Sequence, residues 1–128
     1  MIIGGIGCRK GVSAAAITAA IEAACTQAGL AATSVSVIAT AAMKESEPGI
    51  AQAAAALGVP LILVSEPDLR AAGARAATHS PRVMELTGVP SVAEAAALAA
   101  GGPAASLLAA RIVVGPVTCA LAETERAP

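Results

Sequence analysis

Phe, Tyr and Trp are absent from the 128 residues. Without an aromatic platform the chain has nothing on which to stack bases, which excludes the usual single-strand nucleic-acid binder. Charge is scarce as well. Asp, Glu, Lys and Arg make up 13% of the residues, and eight basic residues stand against nine acidic ones. A net charge of −1 excludes the basic footprint with which proteins hold duplex phosphates, so no nucleic-acid partner is expected. Cysteine numbers three, at Cys8, Cys25 and Cys119, with no CxxC pair. That pattern rules out a disulfide framework, leaves a zinc site without support and fits a reducing compartment; neither a metal nor a cofactor is expected. No long apolar run is uninterrupted. The longest uncharged stretch, residues 23–43, is broken by Thr26, Gln27, Gly29, Thr33, Ser34 and Ser36. Met1 leads straight into Ile2, Ile3 and Gly4, with neither a basic n-region nor an apolar h-region. The expectation is a cytoplasmic protein without signal peptide or membrane partner.

What is present is apolar: 56% of the residues are hydrophobic. Much of this is Ala, which builds helices but buries little area per residue. The core therefore falls to Ile, Leu, Val and Met, which stand in short clusters between Gly and Pro. The length suits one domain, expected to span residues 1–128 with a tail frayed from about residue 123. So apolar a surface also suits self-association into a homo-oligomer, for which an exposed edge in the closing strands is one route.

Residues 2–6 read as a buried strand, followed by a tight loop marked by Gly7 and Gly11. Ser13 is a good N-cap for a helix whose apolar face runs Ile17, Ala20, Ile21, Ala24 and Ala28, and Gly29 is placed to end it. Residues 34–40 form a second strand. Pro48 opens a second, Ala-rich helix that stops at Gly58. Leu61, Ile62, Leu63 and Val64 read as a central strand buried on both faces. Ser65 to Asp68 and Ser91 to Glu94 both fit capping boxes, each opening a further helix. Residues 73–90 are the least regular and hold the single histidine, His79. Leu107 and Leu108 suggest another helical turn, and two closing strands follow around Gly115 and Pro116. This alternation predicts an α/β domain with a largely parallel sheet and a terminal antiparallel hairpin.

In such sheets ligands bind beyond the carboxyl ends of the strands. There the loop Gly5-Ile-Gly-Cys-Arg-Lys-Gly11 offers backbone N–H groups, a helix start, and the charges of Arg9 and Lys10, which together suit a carboxylate or phosphate. Phosphate fingerprints fit badly: Lys10 is followed by Gly11 instead of Ser or Thr, and the third Gly of a dinucleotide loop is one place late. Cys8 beside two bases at a helix start is expected to have a lowered pKa that would suit a nucleophile, although it reads first as a small apolar residue packing under the turn. Lys44 could bind an anion. Glu47 could act as a base or cap the next helix. Ser80 and Thr118 could hydrogen-bond a ligand or a turn, and Ser91 and Glu94 read first as a cap.

The residues from Gly5 to Gly11, Ala39-Thr40, Lys44 with Glu47-Pro48-Gly49, Ser80 with Val83, the run from Gly88 to Leu98, and the run from Val117 to Ala122 appear in an order that resembles the CobE and CbiG C-terminal domain family of cobalamin biosynthesis. The resemblance covers nearly the whole chain. It implies a three-layer α/β/α domain and a role in building the corrin ring. It also implies, for the longer CbiG-like members, opening of a δ-lactone on a precorrin with loss of a two-carbon fragment. A chain that starts at its glycine loop looks like the stand-alone CobE form. The expected ligand is then a polycarboxylate tetrapyrrole, a corrin or precorrin intermediate, held by Gly7, Cys8, Arg9, Lys10, Gly11, Lys44, Ser80, Ser91 and Thr118. The expected role is carrier or accessory beside other pathway enzymes. Two alternatives stand: an enzyme of that pathway, using Cys8, Thr40 or Glu47 as nucleophile or base, and a nucleotide- or phosphate-binding module.

Overall fold

A computed structural model of the chain describes residues 1–44, 47–77, 84 and 91–124. β1 (Ile2–Cys8) passes through a turn into α1 (Ala14–Gln27), whose first turn is capped by the Ser13 hydroxyl accepting the Ala16 N–H at 3.1 Å. At the other end the N–H groups of Gly29 and Leu30 donate to the Thr26 and Cys25 carbonyls, the paired bonds that close a helix at a left-handed glycine. After a 3-10 turn come β2 (Val35–Ala41), a second 3-10 turn (Ala42–Lys44), α2 (Pro48–Leu57) and β3 (Leu61–Val64). α3 (Glu66–Gly73), α4 (Val92–Gly101), β4 (Ser106–Val114) and β5 (Val117–Glu123) complete the order among the described residues.

The strands form one sheet in the order β3-β2-β1-β5-β4. β1, β2 and β3 run parallel, and β5 pairs antiparallel with both β1 and β4, so the sheet is mixed and the closing hairpin joins it through β5. Alternation along the strands divides the core into two halves. Ile6, Val35, Ile38, Cys119 and Leu121 pack with Ile17, Ile21 and Ile50 of α1 and α2. Ile3, Val37, Ala39, Val64 and Ala122 pack with Leu69 and Leu98 of α3 and α4. Among the described residues the result is a three-layer α/β/α arrangement with two helices on each face.

α4 buries Ala93, Glu94, Ala95, Ala96, Ala97 and Leu98 in succession, as expected of a helix covered on more than one face. Gly5 is what lets it lie on β1, because a Cβ there would overlap the Ala93 carbonyl oxygen and stand 2.8 Å from the Ala97 Cβ. Its C-terminus is held from outside. The Arg75 guanidinium donates to the Ala105 carbonyl at 2.9 Å and the Gly102 carbonyl at 3.3 Å, with Leu98 and Pro103 at 3.5 Å.

Three local expectations are corrected. Gly7 and Cys8 belong to β1, paired with Thr118 and Val117, because the β5 ladder extends the strand past residue 6. Leu107 and Leu108 lie in β4 and not in a helix; irregular pairing between Leu107 and Ile112 breaks the alternation that would have marked a strand. β3 is not central but an edge strand, with Leu63 39% exposed. An all-apolar run reads as doubly covered, yet among the described residues one side of it has no neighbouring strand.

Candidate functional site

The carboxyl ends of β1, β2 and β3 define one edge of the sheet, and the helix starts gather there. Five residues separate the end of β1 from the start of α1, and α3 directly follows β3 through its cap Ser65. The start of α4 lies over the end of β1, since a Cβ on Gly7 would sit 3.7 Å from Val92 and 3.8 Å from the Ala93 nitrogen. The β4–β5 turn closes the edge: the Arg9 N–H donates to the Pro116 carbonyl at 3.2 Å.

The first loop and the start of α2 are joined twice. The Gly11 N–H donates to a Glu47 carboxylate oxygen at 2.9 Å. Gly49 lies so close to Val12 that a Cβ would overlap the Val12 carbonyl oxygen. Gly11 has φ +74°, a left-handed conformation that favours glycine, and this aims its N–H across the loop. Glu47 occupies the N-cap position of α2, yet its side chain makes no cap hydrogen bond to that helix. The carboxylate does not cap that helix; it clamps the turn. Arg9, Lys10 and Gly11 are exposed and Lys44 is half-buried.

The predicted site residues fall on two faces of this edge. Cys8 packs against the core half made by α1 and α2. Its charged neighbours are Lys44 and Glu47, and its thiol pKa is raised, chiefly by burial, with Glu47 adding to the effect and Lys44 opposing it. This corrects the expectation of a lowered pKa. Cys8 is the last residue of a strand, while α1 starts only at Ala14, and the helix-terminus effect fades within about a turn. Thr40 is fully buried and its hydroxyl donates to the Ile6 carbonyl at 2.8 Å, stitching β2 to β1 with no surface offered to a substrate. On the opposite face are Gly7, Thr118 and Ser91. The Thr118 hydroxyl donates to the Gly7 carbonyl at 3.3 Å. Ser91 is fully buried and its hydroxyl accepts the Glu94 N–H at 3.4 Å, so this side chain serves the helix and presents no surface to a ligand. Ser80 lies outside the described residues.

Glu94 goes beyond its capping-box reading. It is fully buried, and its carboxylate accepts the Arg111 N–H at 2.8 Å, tying α4 to the irregular middle of β4. Spacing cannot show this, because the partner is a backbone group on a distant strand. No group of three or more His, Cys, Asp and Glu able to hold a metal occurs among the described residues. No helix among them is long and apolar enough to cross a membrane.

The two faces differ in charge. α3 and α4 carry acidic residues in their first turns, Glu66 and Asp68 in one and Glu94 in the other. α1 and α2 carry none. The partial positive charge of their N-termini therefore meets Arg9, Lys10 and Lys44 and is opposed locally by Glu47.

Fold and edge together define a small three-layer α/β domain with Arg9, Lys10 and Lys44 along one rim. The particular family is shown by comparison with known proteins. The family model described as cobalamin synthesis G C-terminus matches residues 2–122, and the chain belongs to that family, which makes it a protein of cobalamin biosynthesis. It is 35% identical over 118 residues to protein CobE of Sinorhizobium sp., covering 92% of this chain and 77% of the relative. Its structure is similar to the crystal structure of CobE, a protein of the cobalamin biosynthetic pathway, with TM-score 0.90, 35% identity, and 98% and 93% of the two chains covered. It is also similar to cobalamin biosynthesis protein chiG from Agrobacterium tumefaciens strain C58, with TM-score 0.78, 41% identity, and 98% and 100% covered.

Proposed function

We propose that the protein binds a carboxylate-rich corrin or precorrin intermediate of the cobalamin pathway at the α1/α2 side of the sheet edge, as a carrier or accessory to the enzymes that process it. The observation that carries this reading is the concentration there of Arg9, Lys10 and Lys44 with two helix starts free of acidic residues in their first turns. Arg9 can grip a carboxylate through two N–H groups, and the lysines act as point charges. Met43 and Leu63, 53% and 39% exposed, add apolar surface beside Lys44 and at the end of β3, suited to the flat body of a macrocycle. A net charge near zero makes the attraction local and not a field of the whole protein.

Titration of pathway corrins and precorrins, followed by visible absorbance, tests this. The protein has no aromatic side chain, so optical changes report the ligand alone. Saturable binding is expected, weakened by about tenfold in Arg9→Ala or Lys44→Ala, in line with loss of one charge-assisted contact. Absence of binding well into the micromolar range would sink the reading. A slow spectral change after binding would instead support the catalytic alternative.

A further inference from the structure

The Gly11 amide, central to an anion-binding turn, already holds a carboxylate, and that carboxylate is the protein's own. Glu47 reaches 36 residues along the chain to accept the Gly11 N–H at 2.9 Å. It does so from the N-cap position of α2, where its side chain makes no bond to the helix it precedes. The backbone around it is fixed independently of that bond, because the Glu47 N–H donates to the Lys44 carbonyl and the Ile50 N–H to the Glu47 carbonyl. The backbone contact of Gly49 against Val12 holds the same two segments together. Moving the Glu47 side chain therefore does not require the loops to part. The side chain also has a second place to go, since the positive end of α2 has no acidic residue in its first turn and accepts a carboxylate favourably.

We infer that Glu47 is a resident stand-in for a ligand carboxylate: the incoming group takes the Gly11 N–H, and Glu47 swings back to the start of α2. This rests on the tetrapyrrole reading above and deepens it by naming the contact and the residue that sets its selectivity. The exchange replaces one charge-assisted hydrogen bond with another. Its cost is the approach of the ligand's charge to that of Glu47, offset by exposed Arg9 and Lys10 beside Gly11. A ligand with a single carboxylate gains little from such an exchange. One with several carboxylates gains from Arg9, Lys10 and Lys44 at once. Glu47 thus rejects small monoanions and admits a polycarboxylate.

The test uses the full chain and two probes, a corrin whose side-chain carboxylates are all free and the same corrin with those groups as primary amides. Glu47→Ala is expected to bind the carboxylate corrin about tenfold more tightly than the native protein does, the scale of one charge-assisted bond released. Glu47→Gln, which keeps the shape and loses the charge, gains less, and it decides the matter should the alanine variant fail to fold. Neither variant gains for the amide corrin. In an amide NMR spectrum the Gly11 signal moves when the carboxylate corrin binds. Equal or weaker binding by both variants, an equal gain for both probes, or tighter binding with an unmoved Gly11 signal would overturn the exchange while leaving the tetrapyrrole reading intact. Binding by a variant where the native protein binds nothing supports it. No binding by any of the three proteins removes the tetrapyrrole reading, and the exchange with it.

Discussion

Gly5→Ala tests the contact that positions one whole side of the edge formed by the carboxyl ends of the strands. Gly5 is buried in β1, with α4 directly over it. A Cβ at this position overlaps the Ala93 carbonyl oxygen and stands 2.9 Å from the Ala97 nitrogen and 2.8 Å from its Cβ. Two of the three obstacles are backbone, so no rotamer change relieves them. α4 must withdraw by about 1 Å, against a close-packed interior that resists such movement. The cost is placed at about 3 kcal/mol, the upper end of ordinary overpacking. For a chain of this length that corresponds to a fall of about 10 °C in Tm. Fluorescence is unavailable without Trp or Tyr, so far-UV circular dichroism follows the thermal transition. Ala97→Gly in the same chain removes the Cβ contact but not the carbonyl, and restores only part of the loss. A Tm within about 3 °C of the native value, or full rescue by Ala97→Gly, would refute the argument that backbone approach at Gly5 sets the position of α4.

Three further perturbations follow from the same geometry. Arg75→Ala removes the donors that satisfy the carbonyls at the end of α4 and is expected to cost about 1–2 kcal/mol in denaturant unfolding; Arg75→Lys should recover only part, since an ammonium lacks the planar fork, and full recovery would contradict this account. Thr40→Val removes the buried bond to the Ile6 carbonyl and should cost about 1 kcal/mol, whereas Thr40→Ser keeps most of it; corrin affinity unchanged in both variants would agree with a stitching role, and selective loss of affinity in a stable Thr40→Val protein would refute it. The Cys119 thiol is pushed up to about 12 by burial, with Cys25 nearby adding to the effect. Its folded pKa lies above the ordinary value of 9.0, so its contribution to stability is full below pH 9 and is lost as pH rises from there toward 12. Urea unfolding at about pH 8 and about pH 10 should show the lower stability at the higher pH, and Cys119→Ala should flatten that fall; an identical fall in the variant assigns the effect elsewhere.

Features that depend on near neighbours in sequence were legible. The Ser13 and Ser65 caps, Pro48 at the start of α2 and the hairpin about Gly115 and Pro116 are short-range signals, and they stand where the residues place them. What failed depended on distant partners. β1 extends to Cys8 because β5 pairs with it across more than a hundred residues, and that extension turns an expected activated thiol at a helix start into a half-buried strand residue with a raised pKa. β3 reads as central because its four residues are all apolar, but strand order is a property of the whole sheet. Arg75 carries no motif, and its carbonyl partners are assembled only when α4 docks. Spacing reads Glu94 as part of a capping box, to which its N–H does belong, and Glu47 as a base or a helix cap. The structure sends both carboxylates to backbone N–H groups on other elements, Gly11 and Arg111.

The strongest argument for a ligand at the edge comes from how this chain uses its few basic residues. Arg70 pairs with Glu66 at 2.6 Å one helical turn away. Arg75 is spent on the end of α4. Arg9, Lys10 and Lys44 have no ion-pair partner among the described residues, yet they stand around one turn and not dispersed over the surface, where charges usually serve solubility. Clustering three like charges is unfavourable unless something opposite in sign meets them. Glu47 answers only part of that need, because its carboxylate is committed to the Gly11 amide. On the proposed reading, the balance is met by an external anion with more than one negative group. A pathway whose intermediates carry acetate and propionate arms around a macrocycle supplies such a molecule, and the exposed apolar surface of Met43 and Leu63 is what a simple phosphate or nucleotide triphosphate tail would leave unused. A phosphate-binding module should therefore bind less tightly than a corrin polycarboxylate in side-by-side titrations. The opposite ranking would transfer the same three charges to a different ligand class.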